Sequence, residues 1–126
     1  MNTPSKNPKF LNLLQIRMPI GAMASIAHRA TGILLFLVLP GAIYLLDLSL
    51  RSPADYAQAV SWLTSPPVQL VTIVFVWSLA HHFLAGIRFL LIDFEHGVSR
   101  SAARVSAWLV SAGSVLVALL YLASLL

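Results

Sequence analysis

From Val105 to the last residue, Leu126, the chain reads VSAWLVSAGSVLVALLYLASLL, and no charged residue follows Arg104. Inside hydrocarbon a backbone must satisfy its own N–H and C=O groups, so a stretch this apolar is a candidate transmembrane helix. Crossing a hydrocarbon core of roughly 30 Å takes about 20 predominantly apolar residues. Two further stretches qualify: about 30–46, which carries Pro40, and about 68–92, which carries Trp77, His81 and His82. Only 10% of the chain is charged and its mean hydropathy is +0.86, whereas an ordinary soluble domain has roughly 25% charged residues. The 126 residues are therefore expected to form an all-α membrane protein, one anchor domain of three transmembrane helices. That leaves little room for a soluble catalytic domain.

The connections between the spans have different characters. Asp47, Arg51 and Asp55 close the first span, where the missing N–H of Pro40 should bend the helix. A short amphipathic stretch from Ala54 to Leu63 suits a surface helix at the membrane interface, and Pro66-Pro67 ends the linker. The second connection is the polar turn DFEHGVSRSAAR. The opening MNTPSKNPKF is polar and basic with no short apolar run directly behind it, which argues against a secretory signal and for a loose water-side tail.

Lys6, Lys9, Arg17 and Arg29 precede the first span, Arg51 alone lies in the first loop, and Arg88, Arg100 and Arg104 cluster around the second connection. Because cytoplasmic flanks accumulate Lys and Arg, residues 1–29 are expected on the cytoplasmic side and the C-terminus on the opposite side. The same rule accounts for the net charge of +4 without a nucleic-acid partner. With no cysteine, the chain has no thiolate ligand or nucleophile and no cysteine for an iron–sulfur cluster.

Ionisable groups within spans are costly unless paired, ligated or facing a cavity, which makes them functional candidates. Six residues before Arg88, His82 is expected about 9 Å inside the cytoplasmic end of the second span. A neutral imidazole there can ligate a metal through one nitrogen while the other donates to a carbonyl. Gly86, four residues on, would admit a flat macrocycle against the backbone, with Phe75, Ser78, Phe89 and Asp93 near the same stripe. The alternative is a hydrogen bond from His82 to a neighbouring helix, with Gly86 serving close packing. His81 points about 100° away from His82, so the two cannot oppose each other across one iron; a polar contact with a partner subunit is the expectation for it. His96, in the polar turn, is expected to be solvated. A second axial ligand would come from His28 or, with a better fit in depth, from another subunit.

A second constellation, RMPIGAMASIAHRATG, gathers Arg17, Ser25, His28, Arg29 and Thr31 at the start of the first span. Ser25 and Arg29 are four residues apart and share a helical face. Together they offer a hydroxyl and a fixed cation suited to a quinone carbonyl; alternatively, the arginines snorkel to the interface and Ser25 packs. Asp93 is expected to pair with a nearby arginine.

Two motifs in this order, Arg17-x-Pro19 followed by Ser25-x-x-His28-Arg29-x-Thr31-Gly32, and His82-x-x-x-Gly86-x-Arg88-Phe89-x-x-x-Asp93, resemble those of the cytochrome b membrane-anchor subunit, or C subunit, of bacterial and mitochondrial succinate dehydrogenase. The resemblance covers nearly the whole chain. It implies an anchor bundled with a second membrane-anchor subunit in the bacterial inner membrane, holding a flavoprotein and an iron–sulfur subunit that oxidise succinate and send electrons to ubiquinone. It further implies haem b between the anchors with His82 as one axial ligand, Ser25 and Arg29 at the quinone, and His28 and Arg29 near the haem propionates. Two positions depart from the pattern: Phe89 stands where some members carry a second histidine, and His81 where an aromatic is common. The rival readings are a haem-free structural anchor and a small transporter or proton-relay protein, although the spans carry no paired carboxylates and only one is broken by proline.

Overall fold

The computed structural model describes residues 17–126; the expected water-side tail, with Lys6 and Lys9, lies outside the described residues. The described chain forms four helices, α1 (Ile20–Arg51), α2 (Pro53–Leu63), α3 (Pro66–Asp93) and α4 (Arg100–Ser124). Of these, α1, α3 and α4 are long and apolar enough to cross a membrane.

Helix α1 is longer than the span expected within it. Pro19, in extended conformation, precedes it, and its carbonyl accepts from Ala22 N–H at 2.9 Å and Met23 N–H at 3.2 Å. The helix then continues through Ser25, His28 and Arg29, because these residues interrupt hydropathy but not the backbone ladder. It also continues through Pro40, at the loss of one bond to the Phe36 carbonyl. At its far end Arg51 forms an ion pair with Asp47 one turn earlier.

The short surface helix expected from the linker is α2. Ser52 caps it by accepting from Asp55 N–H at 3.1 Å while donating to the Asp55 carboxylate at 2.7 Å, and Pro53 occupies the first turn, where its missing N–H is not needed. Trp62 of α2 stacks on Tyr44 of α1 with centroids 6.1 Å apart. Pro66-Pro67 then open α3 in the same way.

Helix α3 ends in a Schellman turn, with His96 N–H on the Leu91 carbonyl at 2.8 Å and Glu95 N–H on the Ile92 carbonyl at 2.9 Å. Glu95 takes the left-handed conformation this requires, at φ 60°, and Gly97 follows at φ 72°, where only glycine is free of strain. Ser99 accepts from Ala102 N–H at 3.3 Å and starts α4.

Packing follows the rule for helices whose solvent is as apolar as leucine. Without a hydrophobic drive between spans, close backbone approach and interhelical hydrogen bonds must hold them together. Helix α3 packs on both α1 and α4. The residues buried in these seams are mostly small: Ala24 and Thr31 on α1, Ser78 and Ala85 on α3, Ala107 and Ser114 on α4. Large side chains such as Phe36, Phe83, Leu109 and Leu120 face outward. Replacing Ala85, which is fully buried, by leucine should overpack the seam and destabilise the protein by about 1–3 kcal/mol. The measurement is a melting temperature of the purified complex in detergent; an unchanged value would mean that Ala85 is not in a tight interface.

Candidate functional site

His82 lies on the side of α3 that faces α1. Its Nδ1 is 3.0 Å from the backbone carbonyl oxygen of His28, with the Thr31 hydroxyl oxygen at 3.5 Å. A carbonyl only accepts, so Nδ1 carries the proton and Nε2 keeps its lone pair. Thr31, fully buried, donates its own hydrogen back to the Ala27 or His28 carbonyl at 2.8 and 2.9 Å. The chain thus fixes both the tautomer and the tilt of the His82 ring from the neighbouring helix.

The imidazoles of His28 and His82 lie face to face, 4.1 Å apart and 8° from parallel. Stacked in this way, the two rings do not oppose each other across a metal. The glycines divide the space differently from the sequence expectation. A Cβ on Gly86 would meet His28 Nε2 at 3.8 Å, so the residue expected to admit a macrocycle is covered by an imidazole of the same chain. It is Gly32 on α1 that makes room for His82, since a Cβ there would lie 2.9 Å from His82 Cε1.

His82 and His28 open, with Arg29, Gly32, Ile33 and Phe36, onto a cavity of about 450 Å³. Arg29 donates to the Ser25 hydroxyl oxygen at 3.3 Å, so the pair inferred from four-residue spacing does form. As an acceptor in that bond, Ser25 retains its own hydrogen for another partner. Phe75 and Ser78, placed near the same stripe by spacing, instead line a separate cavity of about 280 Å³ with Leu34 and Val38. A cavity of about 500 Å³ between α1, α2 and α3 is larger, but no histidine, carboxylate or cation lines it, and its volume alone gives it no chemistry.

The remaining candidates find partners within this chain or none. His81, 2% exposed, places Nδ1 3.2 Å from the Ser114 hydroxyl of α4, a contact expected from another subunit. Ser114 donates to the Ser111 carbonyl at 2.9 Å, so it accepts from His81, whose Nε2 has no hydrogen-bond partner among the described residues. Arg88, expected among the flanking cations, is buried against α4: its Nε donates to Ser106 at 3.0 Å and its Nη2 to the Ala103 carbonyl at 3.2 Å. That commitment leaves Asp93 exposed and, among the described residues, without the arginine partner expected for it. Arg17 and His96 are exposed.

Among the described residues no three histidine, cysteine or acidic side chains gather into a metal-binding set. Two imidazoles, those of His82 and His28, line the cavity together. These features define a small helical membrane protein with two stacked imidazoles beside an arginine at the seam of two spans. The family described as "Succinate dehydrogenase/Fumarate reductase transmembrane subunit" matches residues 3–121, and the chain belongs to it. It is similar to the succinate dehydrogenase cytochrome b556 subunits of Rickettsia prowazekii (30% identical, over 92% of this chain and 90% of the relative), Coxiella burnetii (31%, 84% and 86%) and Paracoccus denitrificans (32%, 84% and 82%). With its three apolar helices and bacterial relatives, it is a multi-pass protein of the bacterial inner membrane.

The two glycines give opposite expectations. Gly86→Ala meets only ordinary van der Waals contact and gains helix propensity, about 0.8–1 kcal/mol in an isolated helix, so the melting temperature of the complex should hold or rise. Gly32→Ala should lower it, because the new methyl displaces His82 from the His28 carbonyl and leaves buried polar groups unpaired, at about 1–3 kcal/mol. Equal behaviour of the two variants would contradict this packing.

Proposed function

We propose that the chain is a haem b- and quinone-binding membrane anchor of a succinate dehydrogenase, helping to pass electrons from succinate oxidation in partner subunits to ubiquinone. Family membership supports the coarser part of this reading, a membrane anchor within an oxidoreductase complex. The observation that carries the finer part is the His82 ring, whose Nδ1 is held by the His28 carbonyl and whose Nε2 retains a lone pair beside an open cavity.

In this reading His82 Nε2 would hold the haem iron, together with a histidine of the second anchor subunit. Bound there, haem b supplies a one-electron redox centre. A ligand imidazole whose other N–H donates to a carbonyl is a stronger electron donor and holds its orientation, an arrangement common around protein-bound metals. The cavity beside His82, His28 and Arg29 is the open space of this chain that suits a flat group shared with a neighbouring subunit. Arg29 and His28, on the same cavity, are the groups of this chain available to the haem propionates.

For the quinone, Ser25 donates its free hydroxyl hydrogen to a ring carbonyl while Arg29 orients that hydroxyl and stabilises negative charge on the reduced ring. Succinate itself is oxidised elsewhere, in a flavoprotein subunit, with an iron–sulfur subunit carrying electrons to the membrane. The chain is placed with its N-terminus in the cytoplasm and its C-terminus on the opposite side, as the basic residues before α1 and around the α3–α4 turn favour.

Two expected outcomes test the reading. His82→Ala should abolish the b-type absorption bands of the dithionite-reduced complex; an unchanged spectrum would remove His82 from the iron and favour a haem-free or differently ligated anchor. Ser25→Ala and Arg29→Ala should each depress succinate:quinone reduction tenfold to a hundredfold, the equivalent of about 1–3 kcal/mol for a lost hydrogen bond. Succinate oxidation by an artificial dye should survive in both variants. Parallel loss of the two activities would point to failed assembly instead.

A further inference from the structure

We propose that His28 is a positioning residue for the His82 ligand, setting the plane of that ring with its side chain and the tautomer with its backbone carbonyl. The inference rests on the assignment of His82 to haem iron made above.

On α3, His82, Gly86 and Phe89 recur at intervals of four and three residues and so line one face. They form a notch that takes the His28 imidazole of α1. One ring face of His28 lies on His82, at 4.1 Å and 8°. Its Nε2 is 3.8 Å from where a Cβ on Gly86 would be, and Phe89 meets it edge-on with centroids 5.2 Å apart. The Arg88 guanidinium carbon is 5.3 Å from the Phe89 ring centre, which completes a column running Arg88, Phe89, His28, His82. Among the described residues neither ring nitrogen of His28 makes a hydrogen bond. Toward His82 its side chain presents a flat face, while its main chain holds Nδ1 of that ring at 3.0 Å.

This division of labour matters for a ligand on iron. Rotation about the terminal bond of a histidine is broad and weakly restrained by intrinsic torsion, so an isolated imidazole bound through Nε2 can turn about the metal–nitrogen direction. The carbonyl fixes one edge of the ring. The parallel face of His28 removes the remaining freedom, because turning His82 would drive it into the stacked ring. The plane of an axial imidazole governs which iron d orbitals it overlaps, and with them the magnetic anisotropy and potential of a low-spin haem. Phe89 is then a support for the stack.

The test uses the assembled complex carrying His28→Phe, His28→Gln or His28→Ala, with the electron paramagnetic resonance spectrum of the oxidised haem and its midpoint potential as readouts. Phenylalanine keeps a flat face and the backbone carbonyl, so it should retain the highest g value and the line width of the unmodified complex, while its potential shifts with loss of the propionate contact proposed for His28. Alanine and glutamine should shift or broaden the g feature and shift the potential. Retention of the g feature by glutamine with its shift in phenylalanine would overturn the proposal in favour of a polar contact. So would three unaltered spectra, or loss of haem in the phenylalanine variant as in the alanine one. The His82→Ala complex, measured alongside, separates the two levels: haem retained there defeats the ligand assignment, whereas haem lost there with His28→Ala unaltered defeats only the positioning role.

Discussion

The hydrogen bond from the His82 ring to the His28 carbonyl crosses the seam between α1 and α3 and joins a side chain to the backbone of a different span. In a lipid environment such a bond has few competitors, since no water is available to replace either partner. It draws three structural features with it. Thr31 must be small and turned back on its own helix, Gly32 must lack a side chain, and α1 must remain helical well before the hydrocarbon-like part of its sequence begins. Each of these lies in the RMPIGAMASIAHRATG stretch, which explains why polar and small residues crowd one short segment of an otherwise greasy chain.

The same seam organises the candidate chemistry. Ser25 and Arg29, one turn apart on α1, are held as a bonded pair with Arg29 on the cavity, while Thr31 is buried. One helix thus separates its polar residues by direction: those that steady the imidazole point into the protein, and those suited to meet another molecule point out. The adjacent imidazoles of α3 divide in the same manner, one toward α1 and one toward α4.

Much of this was legible in the sequence, and the limits have physical causes. The apolar runs disclosed the three long helices, and the amphipathic stretch from Ala54 to Leu63 disclosed α2. The Ser25 and Arg29 pair was legible because four-residue spacing is a property of one helix. The start of α1 was not, because hydropathy reports the preferred solvent of a residue and not its hydrogen-bonding pattern. The His28–His82 stack spans 54 positions, and the His81–Ser114 contact 33, so no local spacing encodes either. Gly86 was singled out over Gly32 for the same reason: counting along α3 finds the glycine on its own face and cannot see the one supplied by α1. Arg88 was taken for a flanking cation because its position near the end of the span says nothing about which way its side chain turns. Its burial between Ser106 and the Ala103 carbonyl in turn explains why Asp93 stands alone.

Helix α4 contributes nothing to the cavity at His82, yet it grips α3 at two heights, through His81 on Ser114 and through Arg88 on Ser106 and Ala103. Two fastenings on one side of a rod stop it from turning about its long axis. Because neighbouring residues are about 100° apart around a helix, that restraint also fixes the compass bearing of His82. The C-terminal helix is therefore a splint, and alterations along it should be felt at an imidazole it never touches.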